Sequence, residues 1–277
     1  MAVLPLGKQL AYPEHYDPSM LAPIPRAENR QKLGIKAETL PFCGADIWNA
    51  FELSWLDLHG KPVVARGRFI FPCQSPNLVE SKSLKLYLNS LNQHAFADLN
   101  SARDCIKQDL SAAAGADVEV LLQNFSCMQE MLEAPTGICL DQQAVACEQY
   151  EVDPDLLQLA QSDAAFEQLV DEVLYTDLFR SRCPITGQPD WATLTVCYQG
   201  PLIEHASLLR YLVSFRLHND FHENCVERIF CDIKSRCRPN ALSVEANFLR
   251  RGGLDINPVR ATREMMDYVL YPRYNRQ

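Results

Sequence analysis

The sequence predicts an α+β protein of two tandem modules, each an antiparallel sheet with helices packed on one face. Three observations support that class. The order strands, helix pair, strand is written twice along the 277 residues. A set of side chains recurs at a fixed offset between the two copies. The chain also lacks a Gly-x-Gly-x-x-Gly turn and a Walker phosphate loop, the fingerprints that open many parallel-sheet nucleotide folds.

The first 42 residues hold six of the 17 prolines and no periodicity, so 1–45 is expected to be an extended arm over the surface. The first module spans 46–132. Residues 47–58 and 62–72 read as strands around the turn His59-Gly60-Lys61. Helical spacing marks 80–92 and 99–114, and an apolar strand follows at 117–124. A stretch rich in Gly, Pro and acids opens the linker, 133–162. The second module, 163–277, is expected to begin with a helix at 163–180. Strands at 191–199 and 201–203, helices at 204–217 and 220–237, and strands from 241 onward follow.

A shift of 124 residues superposes Glu80, Ser83, Leu84, Tyr87, Leu88, Ser90 and His94 on Glu204, Ser207, Leu208, Tyr211, Leu212, Ser214 and His218. Two amphipathic helices converge readily on Leu and Tyr, but convergence does not also reproduce Glu, Ser and His. Val118-Glu119 and Val244-Glu245 match again with a two-residue slip. The pattern points to internal duplication.

The charge balance is 26 Lys and Arg against 35 Asp and Glu, a net −9. An acidic chain repels a nucleic-acid backbone, so no direct nucleic-acid partner is expected, while a small anion needs only a few local cations. The amino-terminal stretch has no basic leader and is broken by Pro5, and no run reaches the ~20 apolar residues of a membrane span. A soluble chain is expected, with no membrane partner. The 11 cysteines are odd in number and scattered, with no Cys-x-x-Cys pair. That argues for free thiols in the cytoplasm and against zinc ribbons or a disulfide framework.

Four segments carry candidate chemistry. In Cys183-Pro-Ile-Thr-Gly-Gln-Pro-Asp190 the prolines and glycine make a tight loop with a nucleophile at one end and an acid at the other. Arg182 favours a thiolate at Cys183, whereas the expected helix ending near Arg180 would disfavour it through its carboxyl-terminal dipole. A lone cysteine among 11 is more often a small buried hydrophobe, and an acid before a strand is common in turns.

In His218-Asn-Asp-Phe-His222-Glu223, Asp220 suits a helix N-cap and Glu223 the acid of a capping box. The two histidines are spaced for a metal, but the Asn219-Asp220 junction interrupts the helix and no third ligand is near. Glu223 also suits a purine-like base, whose ring N–H and amino group pair with one carboxylate, with Phe221 as an apolar face. Glu80-Ser81-Lys82-Ser83-Leu84-Lys85 reads as a helix start whose backbone N–H groups and lysines suit a phosphate. Arg250-Arg251-Gly252-Gly253 suits phosphate too, although a β-bulge with solvated arginines is the default for such a segment.

Together these segments resemble the NADPH-dependent 7-cyano-7-deazaguanine reductases of queuosine biosynthesis, in the longer branch with the Glu80-Ser-Lys-Ser-Leu-Lys-Leu-Tyr signature in module one and the cysteine in module two. The resemblance runs from about residue 8 onward and is weakest over 115–165. Cys183 through Asp190, Phe221-His222-Glu223 and Arg251-Gly252-Gly253-Leu254-Asp255-Ile256-Asn257-Pro258 also carry it. It implies tandem tunnelling-fold modules, a homodimer, and two-step reduction of a nitrile to an amine by NADPH through a cysteine thioimide. It implies Cys183 as nucleophile and Asp190 as proton donor. Val79, Glu80, Ser81, His222 and Glu223 would bind the substrate, and Ser81, Lys82, Arg251 and Gly252 the cofactor, with no metal.

Because the partner of Glu80 under the duplication is Glu204, not Glu223, one site per chain built from both modules is expected. Two rival readings are a zinc-dependent cyclohydrolase of the same fold using the histidine pair, and a non-catalytic module that binds a purine-like base.

Overall fold

A computed structural model describes residues 12–36, 38–124, 132–161, 168–268, 273, 274 and 277. Their contacts divide them into two compact units. The first takes the described residues of Met1–Lys32, Ala45–Glu130 and Arg250–Ile256, and the second those of Leu33–Gly44, Met131–Leu249 and Asn257–Gln277.

In the first unit, β1 (Pro23–Pro25) and α1 (Ala27–Lys32) precede two long strands, β2 (Cys43–Leu56) and β3 (Pro62–Pro72). These pair antiparallel with a bulge between Ala50 and Leu53. β4 (Asn77–Val79) pairs with β1, leading into α2 (Ser81–Ser90) and α3 (Leu99–Ala114), and β5 (Glu119–Asn124) returns to pair with β3. Leu84, Tyr87 and Leu91 recur at helical spacing and are fully buried against Trp48, Phe69, Phe71, Ile106 and Leu110. Each such side chain contributes about 1.5–3 kcal/mol. Gly115, at φ +71°, closes α3 and returns its N–H to the Ser111 carbonyl.

In the second unit, β6 (Ile138–Cys139) runs parallel to β7 (Leu169–Thr176), which pairs antiparallel with β9 (Pro189–Pro201). The short β8 (Arg180–Arg182) continues along the same side of β9. α4 (His205–Ser214) and α5 (His222–Cys237) follow, then β10 (Ala241–Phe248) beside β9 and β11 (Leu254–Ala261) beside β10. α5 is held by a buried ion pair, in which Arg260 donates to Glu227 Oε1 through Nε (3.1 Å) and Nη2 (2.9 Å).

The α+β class with antiparallel sheets is as expected, and the duplication extends to bond-by-bond detail. Glu80 and Glu204 cap α2 and α4 through the N–H groups two and three residues on. Ser83 and Ser207 donate to the capping residue's carbonyl, and Tyr87 and Tyr211 each donate to an aspartate of the following helix, Asp109 and Asp232.

The repeat also reaches back further than the sequence suggests. Asp17 and Asp153 each cap a 3₁₀ turn, and the N–H groups of Ala22 and Gln158 then donate to Ser83 and Ser207. These pieces lie in what the sequence reads as arm and linker. They escape a periodicity test because each is a single capped turn.

The opening of the second module differs from expectation. No helix spans 163–180: residues 169–176 and 180–182 are the strands β7 and β8, and 162–167 lie outside the described residues. Cross-strand pairing with β9, residue by residue from Leu169 opposite Pro201 to Thr176 opposite Leu194, outweighs the local helical spacing.

Candidate active site

The loop after β8 is a hairpin. Arg180, Ser181 and Arg182 lie opposite Trp191, Asp190 and Pro189, and the hairpin closes with the Cys183 N–H on the Gln188 carbonyl (2.9 Å) and the Gly187 N–H on the Cys183 carbonyl (3.0 Å). Side chains alternate along a strand, so Ser181, Cys183 and the facing Asp190 share one side of this ribbon. Burial agrees: they are 0%, 6% and 3% exposed. Because β8 is a strand, the helix-dipole argument against a thiolate at Cys183 falls away.

The residues leading into α5 are sewn to the same strand. The Arg182 N–H donates to the His218 carbonyl (2.8 Å), and the Asp220 N–H donates to the Arg182 carbonyl (3.1 Å). The first turn of α5 is thereby held beside Cys183. His222 Nε2 stands 3.5 Å from Asp190 Oδ2, and the ring stacks on Phe248 with centroids 3.7 Å apart and planes 4° apart. Its Nδ1 is buried with no hydrogen-bond partner among the described residues. Glu223, in the same turn, is 3% exposed. The geometry therefore gathers Cys183, Asp190, His222 and Glu223 in one unit.

The capping expected of Asp220 and Glu223 is not what the structure has. Phe221 holds the N-cap position without a side-chain bond, and Asp220 Oδ1 instead accepts from the Phe221 N–H (2.8 Å) and Asn224 Nδ2 (2.7 Å). Glu223 is a buried acid rather than the closing half of a capping box. The histidines have separate surroundings: His218 lies 3.6 Å from Asp220 and edge-on to Phe215, whereas His222 faces Asp190 and Phe248.

Sequence reasoning missed Ser181 and Cys225. Burial, then the charge of Asp220, pushes the Cys225 thiol well above its ordinary value, with Asp190 and Glu223 adding to the effect. Cys225 is thus held protonated beside the acids of the site. Only the strand register could have exposed this neighbour.

The remaining candidates lie in the first unit. Val79 ends β4 opposite Pro23. Glu80, 1% exposed, accepts from the Lys82 N–H (2.7 Å), the Ser83 N–H (2.8 Å) and the Ser81 hydroxyl (3.4 Å). A carboxylate offers about four acceptor positions, so it retains capacity for another donor.

Arg251-Gly252-Gly253-Leu254 is a tight turn, not the bulge expected. The Arg251 N–H donates to the Leu254 carbonyl, and Gly252 and Gly253 have φ +57° and +76°, the pattern of a type I′ hairpin. A Cβ at Gly252 would meet Lys85 Nζ at 3.0 Å, and one at Gly253 would meet the Glu52 carboxyl carbon at 2.5 Å. Beside the turn is a cleft of about 250 Å³ that Lys85, Asn89 and Asn92 line. Lys85 is one helical turn from Ser81 and so shares its face. A bare backbone, amides and a lysine fit a phosphate-bearing group.

Known proteins resemble the chain along most of its length. Residues 12–122 match the family model for nitrile reductase, 7-cyano-7-deazaguanine-reductase N-term, and residues 189–267 match that for QueF-like protein. The chain is 53% identical over 259 residues to the NADPH-dependent 7-cyano-7-deazaguanine reductase of Azoarcus sp. (strain BH72), covering 93% of this chain and 90% of that one. It is 51% identical to the protein so named from Dechloromonas aromatica (strain RCB), with the same coverage. It is 52% identical to that from Desulfotalea psychrophila, over 94% of this chain and 93% of the relative.

Proposed function

The chain belongs to the family of NADPH-dependent 7-cyano-7-deazaguanine reductases, and we propose that it reduces the nitrile of 7-cyano-7-deazaguanine to the primary amine 7-aminomethyl-7-deazaguanine. The observation that carries this reading is the hairpin that presents Cys183 and Asp190 on one face, with His222 Nε2 3.5 Å from that acid.

A nitrile carbon is electrophilic but slow to react. The sulfur of Cys183 bonds to it, one C–N π bond opens, and Asp190 delivers a proton to the nitrogen, leaving a thioimide. When bound, NADPH supplies the two hydrides that convert thioimide to amine. Between them the C–S bond breaks, Cys183 departs with the electron pair, and an imine remains for the second reduction, the nitrogen taking its last proton from solvent. Glu223 anchors the base, pairing its adjacent ring N–H and amino group with one carboxylate. His222, fixed flat on Phe248, offers its unpartnered Nδ1 to the ligand. Val79, through its backbone, and Glu80 and Ser81 complete the substrate contacts.

The cofactor would be held by Ser81, Lys82, Arg251 and Gly252, beside the Lys85 cleft that fits its phosphates. The repeated element order supports tandem tunnelling-fold modules built on 46–132 and 163–277, each led in by a capped turn, at Asp17 and at Asp153, within the 1–45 and 133–162 segments. A homodimer in the cytoplasm, without nucleic-acid contact, completes the reading. The scattered cysteines support the compartment and the net −9 the lack of nucleic-acid contact, the homodimer being what the family resemblance implies; among the described residues no helix is long and apolar enough to cross a membrane.

The test is intact-protein mass spectrometry after mixing with 7-cyano-7-deazaguanine in the absence of NADPH. An adduct of the full ligand mass is expected on the natural chain and not on Cys183→Ala. A natural chain that binds the ligand yet carries no adduct would remove Cys183 from the chemistry.

A further inference from the structure

The catalytic hairpin has a second face. Since Ser181, Cys183 and Asp190 point to one side of the β8–β9 ribbon, Arg180, Arg182 and Trp191 point to the other. Arg216, from the 3₁₀ turn Phe215–Leu217, joins them: the Arg180 and Arg216 Cζ atoms each lie 5.5 Å from the centre of the Trp191 ring. All three arginines and the indole are half-buried. None of the three is ion-paired among the described residues, and the Arg180 Nε is buried without a hydrogen-bond partner. Burial, then the charges of Arg216 and Arg182, holds Arg180 below the ordinary arginine value. In a chain of net charge −9, three crowded guanidiniums without an ion-pair partner among the described residues form a local positive cluster.

We propose that Arg180 and Arg216, which flank Trp191, together with the neighbouring Arg182 form a binding site for a small phosphoryl anion on the reverse face of the hairpin that carries Cys183 and Asp190. Guanidinium groups are planar forks whose paired N–H groups match phosphate oxygens, and stacking on an indole fixes those forks in advance. Three positive charges call for a multiply charged anion rather than one carboxylate. A long polyanion would meet the repulsion of the acidic chain beyond the cluster, whereas a compact anion senses mainly charges within about 10 Å. An anion seated here would bridge β8, β9 and the turn before α5, and so brace the frame of the site.

Tryptophan emission reads this site selectively, because Trp48 and Trp55 are each 2% exposed and Trp191 is half-buried. The whole protein is titrated with inorganic pyrophosphate, with chloride holding ionic strength constant. A saturable change in emission is expected, together with a melting temperature that rises with pyrophosphate. In the double variant Arg180→Gln/Arg216→Gln the apparent affinity should fall at least ten-fold and the thermal shift should vanish. Arg103→Gln, an exposed arginine elsewhere, should leave both intact.

The double variant also relieves like-charge crowding, so without pyrophosphate it should melt no lower than the natural chain. That separates loss of the site from loss of the fold. Competition by NADP⁺ would identify the anion as a cofactor phosphate, and its absence would identify a separate phosphorylated metabolite; both support the site. Four results would overturn it: the same change with chloride alone, undiminished binding in the double variant, tighter binding of a structured RNA, or dissociation of an oligomer on adding pyrophosphate.

Discussion

Glu245 allows a stability change to be worked out before it is measured. It sits mid-strand in β10, opposite Thr195 of β9 and Val259 of β11, so neither neighbour brings a cation. Burial raises its carboxyl from 4.5 to about 7, against a smaller opposing hydrogen bond from Asn247. The surroundings respond in kind: burial and then the Glu245 charge lift the Cys197 thiol to about 11 and the Tyr274 phenol to about 12. Because the folded value lies above the unfolded one, the fold favours the protonated acid. Its contribution is complete below pH 4.5 and is lost as pH climbs from there through about 7.

At ~1.36 kcal/mol for each pH unit of that interval the loss approaches about 3 kcal/mol, and partial exposure screens it to about 2. Glu245→Gln keeps the shape and cannot ionise. In urea denaturation it should match the natural chain near pH 5 to within about 1 kcal/mol and exceed it near pH 8 by about 2 kcal/mol. Cys197 and Tyr274, which feel that charge, titrate above pH 8, and the remaining titrating groups are common to both proteins and cancel in the difference. An equal gap at the two pH values would show that Glu245 is already ionised in the folded chain and that the reasoning is wrong.

Three further outcomes test the site and its support. Asp190→Asn should lower kcat/KM, followed by NADPH consumption, by roughly 10²–10⁴, the usual worth of a positioned proton donor; a loss below ten-fold would assign the proton to another group. Phe248, 1% exposed and stacked on His222, should cost about 3–5 kcal/mol as Phe248→Ala. Phe248→Leu should keep most of the stability yet raise KM for the nitrile, and an unchanged KM would disconnect His222 from binding. Glu227→Ala removes the carboxylate that balances the fully buried Arg260 charge and should cost about 3–5 kcal/mol in a urea titration. Glu227→Leu combined with Arg260→Met should recover most of that loss, and a double variant as unstable as the single one would show that packing, not charge, is at stake.

What the sequence makes legible follows from the range of the forces that set it. The helices at 81–90, 99–114, 205–214 and 222–237 are read correctly because their apolar spacing and, in the first three, an acid at the cap are local signals. β7 is misread because Leu169, Val173 and Leu174 recur at helical intervals within a run rich in helix formers. Only pairing with β9, distant in sequence, makes the segment a strand. The same limit governs the site. Cys183 and Asp190 stand out as the two ends of a Pro- and Gly-bearing loop, yet that they share a face depends on Ser181 lying opposite Asp190, a fact of register. The register that aims Cys183 and Asp190 inward necessarily aims Arg180, Arg182 and Trp191 outward. A one-residue slip would exchange the two sets and bury two guanidiniums, those of Arg180 and Arg182, while exposing the nucleophile. The hairpin's turn and its tie to His218 and Asp220 therefore specify both faces at once, so any variant that loosens that tie should disturb nitrile chemistry and anion binding together.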